Sequence, residues 1–300
     1  MMRTAFANNI GRRLARFRKS DGASAIWLLA PSLAGFCLFF ILPFGVAFYY
    51  SMVDTPVGGS FVGLHNYAML LDNASFRRAL WNSLRFTALC VPLNMMLALA
   101  LATWLHGGAY GRRWFRIAFV TPLVIPVASV VFVWQMFFDL NGVLNGWLQS
   151  WGWTPTDWMG SSSALGVTVV VYLWKNVGYN MLLFLAGLQN IPVDYYEAAR
   201  IDGAGRWRQW RSITLVYLMP TSFFVLVMSI VNSFKVFRET YILAGAYPDP
   251  SMYTLQHFMN NMFQQLDYQK MTAAAFLLAA GISLLVLILF IAEDRFNRSL

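Results

Sequence analysis

Charge is what this 300-residue chain is short of: only 12% of its residues are Asp, Glu, Lys or Arg, against roughly 25% in an average soluble domain. Because 58% of the residues are hydrophobic, the deficit is not that of a disordered chain, which is poor in apolar residues. Cysteine is nearly absent as well. The two present, Cys37 and Cys90, lie inside apolar runs, so they frame no disulfide scaffold or thiolate metal site and read as small hydrophobes. His65, His106 and His257 stand apart, without the spacing of a helical metal pair, and read as ordinary loop histidines. No G-x-x-x-x-G-K-S/T phosphate loop, G-x-S-x-G elbow or H-E-x-x-H helix occurs, which removes P-loop ATP binding, serine hydrolysis and zinc proteolysis of those types. The thirteen Asp and Glu all fall outside the apolar runs. The sequence therefore predicts no acid within a bilayer, and proton coupling would have to rest on Lys175.

What the chain does have is long apolar runs. A bilayer core takes about 20 predominantly apolar helical residues, and six segments meet this: 26–50, 81–105, 117–138, 164–187, 214–234 and 272–292. Only the second and fourth hold a charge, Arg85 and Lys175. The expected architecture is an all-α integral membrane protein of six transmembrane helices, with a basic arm over 1–25, a membrane domain over 26–292 and a tail over 293–300. The net charge of +9 is distributed for lipid headgroups rather than nucleic acid. Fifteen of the 22 basic residues lie in the arm, in the loops around Arg112 and Arg206, and in the tail. By the bias of Lys and Arg toward cytoplasmic loops, both termini are expected to be cytoplasmic. A cleaved signal peptide fits residues 1–50 poorly, because its apolar core should be 7 to 15 residues and this one spans 25.

The loop after the fourth run carries the most specific pattern. Pro192 and Asp194 suit a helix start, and Gly203 and Gly205 permit a turn after Ile201. A short helix, an elbow and a second helix leading into the fifth span are predicted. One reading is an interfacial elbow, with Arg206, Arg208 and Arg211 on lipid phosphates and Trp207 and Trp210 as anchors. The other is a docking helix, whose Ala198 and Ala199 leave room for close approach and whose Glu197 meets a cationic pocket. Glu197-Ala198-Ala199, then Gly203, then Ile213 and Leu215 resemble the EAA signature of the inner-membrane permease subunits of binding-protein-dependent ABC importers. Val216 stands where that signature has proline, and the next proline is Pro220. Phe61-Val-Gly-Leu-His-Asn66-Tyr67 resembles the carbohydrate branch, of maltose and glycerol-phosphate type.

The resemblance implies a type I ABC importer permease fold in a bacterial inner membrane. It implies a coupling loop over 188–213, with Glu197, Ala198, Ala199, Asp202 and Gly203 at the ATPase contact. The implied partners are a second homologous permease, two cytoplasmic ATPase subunits and an extracytoplasmic solute-binding protein. ATP and Mg would be bound by the ATPases and no cofactor by this chain, which would be a transport subunit and not an enzyme. A six-span secondary transporter or channel is the alternative, though it has no need of an EAA loop. For the solute path, Lys175 is the costly residue. Tyr172, Lys175, Asn176 and Tyr179 share one helical stripe, and Ser229, Asn232 and Ser233 repeat it on the fifth span. Interhelical hydrogen bonding without solute contact is the alternative for both stripes. Lys175 leaves an acidic or phosphorylated solute open. The outer loop from Arg238 to Lys270 either contacts the binding protein or packs on the chain's own outer surface.

Overall fold

The computed structural model describes residues 21–108 and 111–297. The arm before residue 21 and Arg298 lie outside the described residues. The first span comprises α1 (Asp21–Phe36), a π-helical turn over Cys37–Ile41 and α2 (Leu42–Tyr50). Pro43, at the start of α2, has no N–H for the carbonyl four residues back, and such widened turns commonly absorb that loss. None of the span's most apolar window is buried. Just beyond it the Phe61–Tyr67 segment hooks the chain back. Val53 and Phe61 form an antiparallel bridge, and the buried Asn66 amide donates to the Ser51 and Val53 carbonyls at 3.0 and 2.8 Å. Helix α3 (His65–Asp72) follows, then α4 (Ala74–His106), whose N-cap Asn73 accepts the Phe76 N–H at 3.0 Å.

The third apolar run is not the single helix expected over 117–138. It is split into α5 (Arg112–Val124) and α6 (Val127–Phe138). Ile125 between them is extended at ψ 136°, because a residue before proline is pushed out of the helical region and Pro126 follows. Beyond α6, α7 (Val143–Ser150) is organised by fully buried Asn145, which donates to the Leu140 and Thr156 carbonyls and accepts the Thr156 N–H and the Trp158 indole N–H.

Helix α8 (Ala164–Gln189) runs along α4 in the most extensive helix contact of the fold. Gly178 is where it crosses α5: a Cβ there would strike the Phe119 carbonyl oxygen. The chain continues through α9 (Val193–Ile201), α10 (Arg206–Gln209), a π-helical turn over Trp210–Thr214, α11 (Leu215–Tyr217) and α12 (Met219–Ser233). The fifth span thus starts at Met219, with Pro220 in its first turn, rather than at residue 214. Helices α13 (Phe237–Ala244), α14 (Leu255–Gln264) and α15 (Tyr268–Asn297) complete the order. Helix α15 runs past residue 292 without a break. The central core joins Ala98 and Ala102 of α4, Met181 and Phe184 of α8, and Leu218 and Val225 at the fifth span.

Among the described residues, six segments are long and apolar enough to cross a bilayer: Ala25–Tyr50, Ala74–His106, Val127–Ser150, Ala164–Gln189, Met219–Ala244 and Tyr268–Arg295. The fifth includes α13, so Glu239, expected in a loop, lies on a helix at the end of a span. The stretch 238–270 is also more ordered than a free outer loop. Gln135 of α6 donates to the Ile242 and Leu243 carbonyls at 2.9 and 3.1 Å, and Phe258 of α14 is fully buried with Phe76 and Ala273. His257 is no loop histidine either. It is buried in α14 and closes a capping box with Thr254, and burial pushes it down to about 4.

Candidate functional site: the EAA elbow and the polar stripe

Helix α9 has no buried residue, and Glu197, Ala198, Asp202 and Gly203 are all exposed, with Ala199 half-buried. Ile201 is 87% exposed, an apolar side chain left to water at the tip of a short helix. The elbow's shape follows from local hydrogen bonding. Ala204 N–H donates to the Ala199 carbonyl at 2.8 Å and Gly203 N–H to the Arg200 carbonyl at 3.0 Å, the paired bonds of a Schellman motif. That motif requires a left-handed residue, and Gly203 has φ +75°, so its position four residues after Ala199 is set by helix termination. Pro192 is the N-cap of α9, with ψ 134°, just ahead of the first helical turn. Asp194 occupies the first turn, where a negative charge complements the helix dipole.

Three contacts hold this exposed helix to the bundle. Ile191 is buried at its entry, the Tyr196 and Thr214 hydroxyls are 2.9 Å apart, and buried Gln209 donates to the Ala204 carbonyl at 2.7 Å. Behind α9 is a cavity of about 190 Å³ lined by Ala199, Asp202, Arg208 and Ile213 among others. Trp207 and Trp210 stack with centroids 5.1 Å apart, and Trp207 is exposed. The elbow therefore presents one aromatic face and one small-residue face.

The second region is the polar stripe. The structure brings Tyr172 to Ser229, the hydroxyl donating to the Ser229 carbonyl at 3.1 Å, and both are buried. Ser233 is buried too and shares a 2.8 Å hydrogen bond with Thr87 of α4. These three serve interhelical bonding. Asn176, Tyr179 and Asn232 are half-buried. The Asn176 amide donates back to the Tyr172 carbonyl at 2.8 Å, and its oxygen accepts no hydrogen bond among the described residues.

Lys175 is paired with Glu239, which corrects the expectation that it is the lone charge at membrane depth. Sequence reasoning missed Glu239 because Gly and Pro around Gly245–Pro250 mark a loop, and α13 ends only at Ala244. It also missed Asn94 and Asn180, both buried, whose side chains hydrogen-bond each other while Asn180 donates to the Ser229 hydroxyl at 2.8 Å. Asn180 lies four residues after Asn176, so extending the stripe by one turn finds it.

Larger cavities open beside α5 and α6, and two of them bear on the spans. One of about 960 Å³ is lined by Arg112, Arg113, Arg116 and Gln189 at one end and by Val120, Val124 and Leu182 along its walls. The other, about 440 Å³, is lined by Trp134, Phe137 and Trp174 with Ser129.

With this geometry in hand, comparison with known proteins is specific. The family described as the inner membrane component of binding-protein-dependent transport systems matches residues 94–300. The arabinooligosaccharides transport system permease protein AraP of Bacillus subtilis (strain 168) is 34% identical over 282 residues, covering 91% of this chain and 87% of that protein. The sn-glycerol-3-phosphate transport system permease protein UgpA of Yersinia pestis bv. Antiqua (strain Antiqua) is 31% identical over 285 residues, covering 92% and 95%. Among solved structures, a chain of a bacterial ABC transporter involved in the import of the acidic polysaccharide alginate superposes with a TM-score of 0.81 at 23% identity, covering 94% of this chain and 99% of that one. That likeness establishes the six-span permease fold.

Proposed function

The chain belongs to the inner-membrane components of binding-protein-dependent transport systems, a multi-pass transport subunit and not an enzyme, and from that premise we propose that it moves a carbohydrate using ATP hydrolysed elsewhere. The carbohydrate assignment draws on relatives named for arabinooligosaccharides and glycerol phosphate and on the alginate importer. The Phe61–Tyr67 hook and the half-buried hydroxyl and amide groups of Asn176, Tyr179 and Asn232 support it from within the chain.

The observation that carries the ATP-driven reading is α9 itself. A nine-residue helix with no buried residue, anchored at both ends and tipped with an 87% exposed isoleucine, is built to be covered by another subunit. Glu197 offers its acid to a cationic cleft, Ala198 and Ala199 admit close packing, and Asp202 and Gly203 shape the turn. In this reading α9 faces the cytoplasm with both termini, which the basic loops support. It docks on one of two ATPases that bind ATP and Mg, while a second homologous permease completes the path and a solute-binding protein delivers from outside. The solute passes along Tyr172, Lys175, Asn176 and Tyr179 of α8 and Ser229, Asn232 and Ser233 of α12, the buried members positioning the half-buried ones.

Reconstitution in proteoliposomes tests this. Uptake of labelled oligosaccharide should require the ATPase subunits and ATP on the α9 side. Uptake by the chain without an ATPase would establish the secondary-transporter alternative instead.

A further inference from the structure

Known relatives of this chain are named for neutral oligosaccharides and for an anionic glycerol phosphate, so the charge of the solute is the open question at the stripe. We infer that the Lys175–Glu239 pair makes the path electrically neutral and so selects uncharged carbohydrate over anionic carbohydrate; the inference rests on the carbohydrate path proposed above.

A buried ion pair is weak evidence for stability, because the cost of desolvating both partners often exceeds their attraction. Glu239 keeps only 7% of its side chain exposed and Lys175 only 26%. Packing alone would be served as well by two apolar residues. What the pair does supply is a cluster of strong hydrogen-bonding groups with no net charge, beside the uncharged Asn176 and Tyr179. Hydroxyl groups of a neutral sugar can both donate to the carboxylate and accept from the ammonium.

An anionic solute meets the opposite situation. Taking a carboxylate or phosphate out of water requires a cation to compensate it, and Lys175 is the only cation within the fourth span. Its ammonium is already committed to Glu239, whose own negative charge repels a second anion at the same place. Arg85, Lys235 and Arg238 are exposed and form no ion pair with the stripe among the described residues. Helix α13 holds the acid firmly, since Gln135 of α6 ties down its last carbonyls. Glu239 is thus a specificity-determining group acting through Lys175.

The test is equilibrium binding to the assembled permease–ATPase complex in nanodiscs with the binding protein omitted, so that only the path is read. The probes are maltotriose, arabinotriose and trigalacturonate. Wild type should bind a neutral trisaccharide at least tenfold more tightly than trigalacturonate. Glu239→Gln, which frees the Lys175 charge, should narrow that ratio roughly tenfold or more, the size expected of one charge-assisted hydrogen bond. Equal binding of neutral and anionic trisaccharides by wild type overturns the inference without needing any variant to fold. An assembled Glu239→Gln complex with an unchanged ratio overturns it too. The exchanged pair Lys175→Glu/Glu239→Lys should keep the wild-type preference, and loss of that preference in an assembled complex counts against neutrality as the cause. If no trisaccharide of either charge binds wild type, the carbohydrate reading itself fails, a result distinct from all of these.

Discussion

The hydroxyl of Tyr196 on the exposed α9 lies 2.9 Å from that of Thr214, in the π-helical turn that leads into the fifth span. This bond links the surface offered to a partner with a helix of the proposed path. Tyr196 also packs against the central core cluster that includes Leu188 and Leu218, so a displacement of α9 is delivered to the bundle rather than absorbed in a loose loop.

Tyr196→Phe should therefore preserve assembly, because the ring remains, and weaken coupling. Losing one hydrogen bond costs about 0.5–1.5 kcal/mol. The expected signature is a two- to tenfold lower ratio of solute-stimulated to basal ATP hydrolysis. An unchanged ratio would remove this bond from the coupling route.

Gly203 at φ +75° predicts an order among substitutions. Placing a Cβ in the left-handed region costs about 1–2 kcal/mol, less for asparagine. Asparagine at 203 should retain most of the uptake, alanine less and valine least. The same order should appear in the rate of protease cleavage at the elbow. No Cβ clash contributes, since nothing lies within 4 Å.

Gly178 poses a different problem, one of space. Its Cβ position coincides with the Phe119 backbone, which cannot swing aside as a side chain can. Gly178→Ala should push α5 from α8 and lower the complex's thermal midpoint, with overpacking worth about 1–3 kcal/mol. Gly166→Ala, in open space on the same helix, is the control and should leave the midpoint unchanged within a degree or two.

His257 gives a pH signature. Burial lowers it to about 4 in the folded chain, against about 6.5 for an unperturbed histidine. The folded state binds fewer protons than the unfolded one between these values, so stability is full above pH 6.5 and falls as pH drops toward 4. The loss approaches roughly 3 kcal/mol. His257→Asn keeps an acceptor near the position of Nδ1, to which Thr254 N–H donates, and should flatten the thermal midpoint between pH 6.5 and 4.5. An equally steep decline in the variant would place the titration elsewhere.

Asn176→Leu and Asn232→Leu test the path. Each replaces a half-buried amide and should reduce uptake while leaving assembly and basal ATP hydrolysis intact. Unchanged apparent affinity and rate in both would take these residues off the path.

Much of this was legible from the sequence, for identifiable reasons. The six spans showed because apolar runs of that length have no other stable environment, and the elbow showed because Gly203 has a unique backbone role after a short helix. The break at Ile125 was signalled by Pro126 but hidden by the apolar residues on both sides. Glu239 was misplaced because charge patterning cannot reveal a partner 64 residues away on another helix. For the same reason Tyr172, Ser229 and Ser233 were legible as polar faces, with interhelical bonding as one reading, but their partners were not.

The most direct measurement of the central claim reverses the charge at Glu197, in the middle of α9. Glu197→Lys changes an exposed residue on a helix with no buried positions, so the chain should fold and insert normally. A charge-assisted contact is worth about 1.5–3 kcal/mol. Solute-stimulated ATP hydrolysis and uptake by the reconstituted complex should therefore fall roughly ten- to a hundredfold. Wild-type rates of both in this variant would contradict the account.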